Sequence, residues 1–173
     1  SRSRISSQMM ANERATMRPF VHLHVHTQYS LLCGAIRLKE LFDRVGDLEM
    51  SAVAITDRNN MFGAIDFQLK AEKAKTQPIF GVELSFSTDL NREGKPYHLI
   101  GLARNVEGYK SLRHLSSDAY LKGLKDDKPH VDWEMLNSHH EGLIVLSGGV
   151  YGIVERHLIE RGEASAEEWA LKL

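Results

Sequence analysis

Three histidines alternate with three apolar residues in the run Val21-His22-Leu23-His24-Val25-His26. Side chains on a strand repeat every two residues. The pattern therefore predicts a strand over Phe20–Val25, with all three imidazoles on one side. Val21, Leu23 and Val25 would face the other side, toward a layer of helices. Two neutral imidazoles at this spacing can grip one divalent metal. A lone histidine is ordinarily a satisfied polar group of the fold; three in alternation at a strand end point to a site.

The rest of the chain reads as strands and helices in turn. Helical spacing marks Arg37–Leu48, where Leu38, Leu41, Phe42 and Val45 share a face. Ala52–Thr56 is a short apolar run that enters a polar loop at Asp57. Phe62–Lys75 predicts a second helix with a basic tail at Lys70, Lys73 and Lys75, favourable to the helix dipole. Strands follow at Pro78–Phe86 and Tyr97–Ala103, joined by a turn at Asn91–Lys95. Asn105 suits the N-cap of a helix over Val106–Leu121. Beyond the polar loop Gly123–Pro129 come a short helix over Asp132–His139, a fifth strand at Leu143–Ser147, and helices at Tyr151–Arg161 and Ser165–Leu173. The class is α/β, an open sheet or a barrel.

Composition narrows what such a chain does. Its 22 Lys and Arg against 23 Asp and Glu give a net charge of -1, so no global basic field draws nucleic acid. Cys33 is the one cysteine, which excludes an internal disulfide and makes the reducing cytoplasm the default compartment. No apolar run reaches the ~18 residues of a membrane span. Residues 1–19 read as a polar leader carrying Arg2, Arg4, Arg14 and Arg18, without the apolar stretch of a secretory signal. Residues 20–173 read as one domain. At 173 residues the chain is short for a complete (β/α)8 barrel of about 250.

Other candidate ligands fall on the same framework: Asp57 after the second strand, Glu83 in the third and His98 in the fourth. Strand ends are where α/β folds assemble their sites. Carboxylate and imidazole together suit zinc, manganese or iron. Taken singly, Asp57 reads as an N-cap, Glu83 as a surface residue and His98 as a core histidine. Their joint placement favours a metal site able to activate water against a phosphate ester. His139-His140 reads as a solvated loop pair, and His114 as outward-facing or packed on its helix.

The stretches Phe20–Leu32 and Ala52–Asp57 resemble the PHP (polymerase and histidinol phosphatase) domain. Asn60–Ala64, Pro78–Glu83, Tyr97–Ala103 and Glu107-Gly108-Tyr109 are similar to one branch, the N-terminal PHP domain of bacterial DNA polymerase III alpha subunits. The resemblance implies a distorted (β/α)7 barrel, present here only in part, with about five strands. It implies metal ligands at His24, His26, Glu83 and His98, with Asp57 and Cys33 as further candidates. The chain also departs from the family at three positions. Cys33 stands where the family has aspartate, Arg58 where it has histidine, and Gly149 where it often has cysteine. The last Asp-x-His motif would lie past Leu173, which suggests a domain truncated at its C-terminus, with unpaired barrel edges prone to self-association.

Arginine stays protonated in proteins, and glycine carries no ligand atom. Cys33 retains a thiolate that zinc accepts. Any divalent metal, zinc or manganese, is therefore expected to bind weakly or not at all, with the Arg58 guanidinium paired to Glu83 or Asp57. The resemblance implies a structural module of the polymerase alpha chain. Its partners would be the rest of that chain, a proofreading exonuclease subunit, and DNA through the parent enzyme. The alternative is an active metal-dependent phosphoesterase or 3′–5′ proofreading exonuclease. A free-standing histidinol-phosphatase-like enzyme fits the polymerase-type stretches less well.

Overall fold

The computed structural model describes residues 20–88 and 94–173. The polar leader lies outside these residues, as does most of the turn expected at Asn91–Lys95. The elements run α1 (Leu38–Asp47), β1 (Ala52–Ile55), α2 (Ala64–Ala74), β2 (Gln77–Phe86), β3 (Tyr97–Ala103) and α3 (Val106–Leu121). There follow β4 (Leu124–Lys125), β5 (Lys128–Pro129), α4 (Trp133–Ser138), β6 (Leu143–Leu146), a 3-10 turn at Gly149–Tyr151, α5 (Ile153–Arg161) and α6 (Glu163–Lys172). This is a mixed α/β fold around a partial sheet.

The main sheet has the order β1-β2-β3-β6. β1 and β2 are parallel because α2 crosses between them. β2 to β3 and β3 to β6 are antiparallel. Every residue of β1 is buried, as expected of a short apolar strand covered on both faces.

One face of the sheet carries two adjoining apolar clusters under the helices. In one, Phe67 of α2 and Phe42 of α1, 5.2 Å apart between ring centroids, pack with Val53 and Ile55. In the other, Leu112 and Leu115 of α3 pack against Val82, Leu84, Phe86 and Leu99. The opposite face, which also carries Glu83, holds Ala54, Ile100 and Leu102. Asn105 caps α3 by accepting from the Gly108 amide at 3.0 Å, and Asp132 caps α4 by accepting from Met135 at 2.8 Å. Trp169 of α6 meets Phe86 and Trp133 edge-on, at 6.4 and 6.2 Å, and so anchors the last helix to the core.

Three expectations are corrected. Phe20–Val25 forms no strand ladder: the segment runs extended beside β1, with Ala54 donating to the His22 carbonyl and Thr56 to that of Val25. Of Val21, Leu23 and Val25 only Val25 is buried, while Leu23 is 39% exposed. Of the three histidines, two reach Glu83. His24 and His26 bond its carboxylate, and His22 packs edge-on against Phe20. The loop Gly123–Pro129 contains the small hairpin β4-β5, turned by Asp126 and Asp127, both at positive φ. Aspartate tolerates that backbone region better than most residues. His139 is partly covered, stacked on His114 at 4.8 Å and 3.6 Å from Asp118.

Candidate metal centre

The parallel register of β1 and β2 builds the site. Ile55 pairs with Phe80, and the same offset carried past the strand end sets Arg58 opposite Glu83. Asn59 donates to the Glu83 carbonyl at 2.8 Å, and Glu83 to that of Asp57 at 3.1 Å. Across the sheet, Ser85 pairs with His98. Glu83 and Ser85 point to the same face, so His98 is the diagonal neighbour of Glu83. The segment beside β1 brings His24 and His26 to the same place.

Glu83 lies at the centre, 2% exposed. Its two carboxylate oxygens have separate partners. Oε2 accepts from His24 Nε2 at 2.8 Å and from His26 Nε2 at 3.1 Å. Oε1 accepts from Arg58 Nε at 2.7 Å, with His98 Nδ1 at 3.4 Å. Burial pushes the Glu83 carboxyl up. The bonds from His24, His26 and Arg58, with the nearby His98, outweigh it and hold the group far below the ordinary carboxylate range. Burial pushes the His98 imidazole below its ordinary value, and the Arg58 cation adds to this against the opposing pull of Glu83.

The remaining candidates are placed differently. Asp57 is 1% exposed, and its carboxylate is held by Thr27 and Ser30. It accepts from the Thr27 amide at 2.6 Å, the Thr27 hydroxyl at 2.7 Å and the Ser30 hydroxyl at 2.5 Å. Both of its oxygens are thus engaged in fixing the chain after His26. Cys33 is exposed, and its Sγ accepts from Arg58 Nη1 at 3.5 Å. Gly149 opens the 3-10 turn at positive φ and supplies no side chain. Tyr151 at the end of that turn packs on the His98 ring at 5.4 Å.

Thr27, Ser30 and Tyr151 thus shape the site without having stood out in the sequence. The spacing of two hydroxyl residues just after the histidine run was the available signal for the first two. For Tyr151 there was none, because a turn brings it there.

Among the described residues, His24, His26 and Glu83 form one group able to hold a metal ion, with their ligand atoms all within 4.8 Å of one another. Two imidazoles and a carboxylate are a donor set that zinc and manganese accept. The donors fit a single ion. They do not extend to a cluster, because a permanent cation occupies Oε1.

A family model described as "PHP domain" matches residues 22–173. The chain belongs to the PHP family. Its relatives include the DNA polymerase III subunit alpha of Helicobacter pylori, 42% identical over 150 residues, covering 84% of this chain and 12% of the relative. The subunit of the same name from Treponema pallidum is 43% identical over 160 residues, covering 88% of this chain and 14% of the relative. This PHP chain thus spans about an eighth of the length of these relatives. An amidohydrolase structure from Chromobacterium violaceum aligns with a TM-score of 0.42 at 21% identity, covering 59% of this chain and 34% of the other. No helix among the described residues is long and apolar enough to cross a membrane.

Proposed function

We propose that this chain is the PHP module of a cytoplasmic replicative DNA polymerase III alpha subunit, with a structural rather than a hydrolytic role. The observation that carries this reading is the 2.7 Å contact of Arg58 Nε with Glu83 Oε1. A guanidinium cannot lose its proton in a protein, and it takes a lone pair that a metal cluster would need. The module would support the polymerase core of the parent chain and offer a seat to a separate proofreading exonuclease subunit. Contact with DNA would come through the parent enzyme. Nucleotide addition would belong to other parts of that chain.

The test is degradation of single-stranded DNA by the full-length protein with added manganese or zinc. Wild type and His24→Ala are expected to be equally inactive in 3′–5′ hydrolysis. Activity that depends on metal and disappears in His24→Ala would replace this reading with a phosphoesterase or proofreading exonuclease, which the His24, His26 and Glu83 group favours.

A further inference from the structure

We infer that the site is divided between two kinds of cation: one divalent metal on the Oε2 side of Glu83, and the Arg58 guanidinium in place of a second metal on the Oε1 side. This deepens the reading above and rests on the same Arg58–Glu83 pair, but it concerns metal number rather than catalysis.

The division follows from the partners of the two oxygens. On the Oε2 side, two imidazole nitrogens stand 2.8 and 3.1 Å from the oxygen. A tetrahedral ion with bonds of about 2.0 Å spaces its donors about 3.3 Å apart. The two imidazole–carboxylate distances reach ligand spacing by opening a few tenths of an ångström, and the three ligand atoms already lie within 4.8 Å of one another. Each imidazole then turns its Nε2 lone pair to the ion and carries its proton on Nδ1.

The Oε1 side cannot do the same. Arg58 Nε already holds that oxygen, and Arg58 Nη1 points at Cys33 Sγ, the nearest sulfur donor. His98 is then the one uncommitted imidazole on this side, 3.4 Å from Oε1. Gly149 adds no ligand atom. A second metal would meet one free donor and a fixed positive charge. The carboxylate lies between the two sides, so it neutralises the guanidinium without closing Oε2 to a metal.

Zinc counts on the full-length protein test this, by equilibrium dialysis and elemental analysis. Taking differences between variants cancels metal held elsewhere in the chain. Wild type is expected to hold one zinc more than His24→Ala. Arg58→His, which exchanges the cation for a donor beside Oε1 and His98, is expected to hold one more than wild type. A wild type that exceeds His24→Ala by two or more, or by none, overturns the inference. So does a folded Arg58→His that gains no metal. If Arg58→His fails to fold, Arg58→Gln removes only the charge and should tighten the first zinc on the order of tenfold; unchanged affinity overturns the inference. Nuclease activity with a single zinc would defeat the structural reading and leave this one standing.

Discussion

Arg58 meets Glu83 side chain to side chain and backbone to backbone. Its Nε lies 2.7 Å from Oε1, and the two residues continue the β1–β2 register past the end of β1. The pair therefore adds a charged tie between the loop after β1 and β2, beside the bonds of Asn59 to Glu83 and Ser85. Arg58→Ala leaves a buried carboxylate without its permanent cation. Truncating one partner of a fully buried pair costs about 3–5 kcal/mol. The Arg58 side chain is 36% exposed and screened by water, so about 1–3 kcal/mol is expected here. Denaturant unfolding of wild type and Arg58→Ala measures this. A loss below about 0.5 kcal/mol, the range of ordinary surface substitutions, would show that the pair is not structural.

Asp57 is expected to matter more for stability than for metal binding. Three donors from Thr27 and Ser30 converge on a side chain that is 1% exposed. Asp57→Ala leaves the Thr27 amide and two hydroxyls unpaired, each worth about 1–3 kcal/mol where burial is complete. The expected loss is about 3 kcal/mol or more, with faster amide exchange over Thr27–Ser30 by hydrogen-exchange mass spectrometry. Zinc affinity, measured on the folded fraction, should change far less than in His24→Ala.

Much of this arrangement was legible in sequence where local pattern decides it. Tyr97–Ala103 and Val106–Leu121 have the expected bounds, because an apolar strand and an N-capped amphipathic helix announce themselves. Glu83, His24 and His26 were candidates by residue type, and the register of two strands brings them together. The extended path of Phe20–Val25 was misread as a strand because alternation reports side-chain direction, while pairing depends on the partner's backbone. Asp57 shows a further limit. Sequence marks a carboxylate at a strand end but not whether neighbouring hydroxyls have already claimed it.

Gly108 supports the approach of α3 to the sheet. A Cβ there would collide with the carbonyl oxygen of Gly142, which also accepts from the Arg104 amide at 2.9 Å. Backbone atoms yield less readily than side chains. Gly108→Ala is therefore expected to cost about 1–3 kcal/mol, as overpacking does, despite alanine's higher helix propensity. Chemical denaturation checks this, and a stabilised variant would refute the close contact.

His157 makes the docking of the last two helices depend on pH. It is 4% exposed, with Nε2 3.1 Å from the Tyr97 hydroxyl on β3 and Nδ1 2.9 Å from the Ser165 hydroxyl on α6. Burial lowers its pKa, and the cations Arg161 and Arg156 add to this against Glu160 and Glu168. The folded chain thus prefers the neutral ring, and the unfolded chain binds more protons near the ordinary histidine value of about 6.5. The stability contributed by this group is fully present above that value and is lost as pH falls through the lower folded value. Unfolding free energy should therefore drop between about pH 7 and 5 in wild type. In His157→Gln, which keeps hydrogen-bonding capacity without a titrating ring, that part of the drop should vanish. Amide exchange in Ile153–Arg161 and Glu163–Lys172 locates the effect: acid should loosen these helices before β2 and β3, and equal loosening in His157→Gln would assign the acid response to other groups.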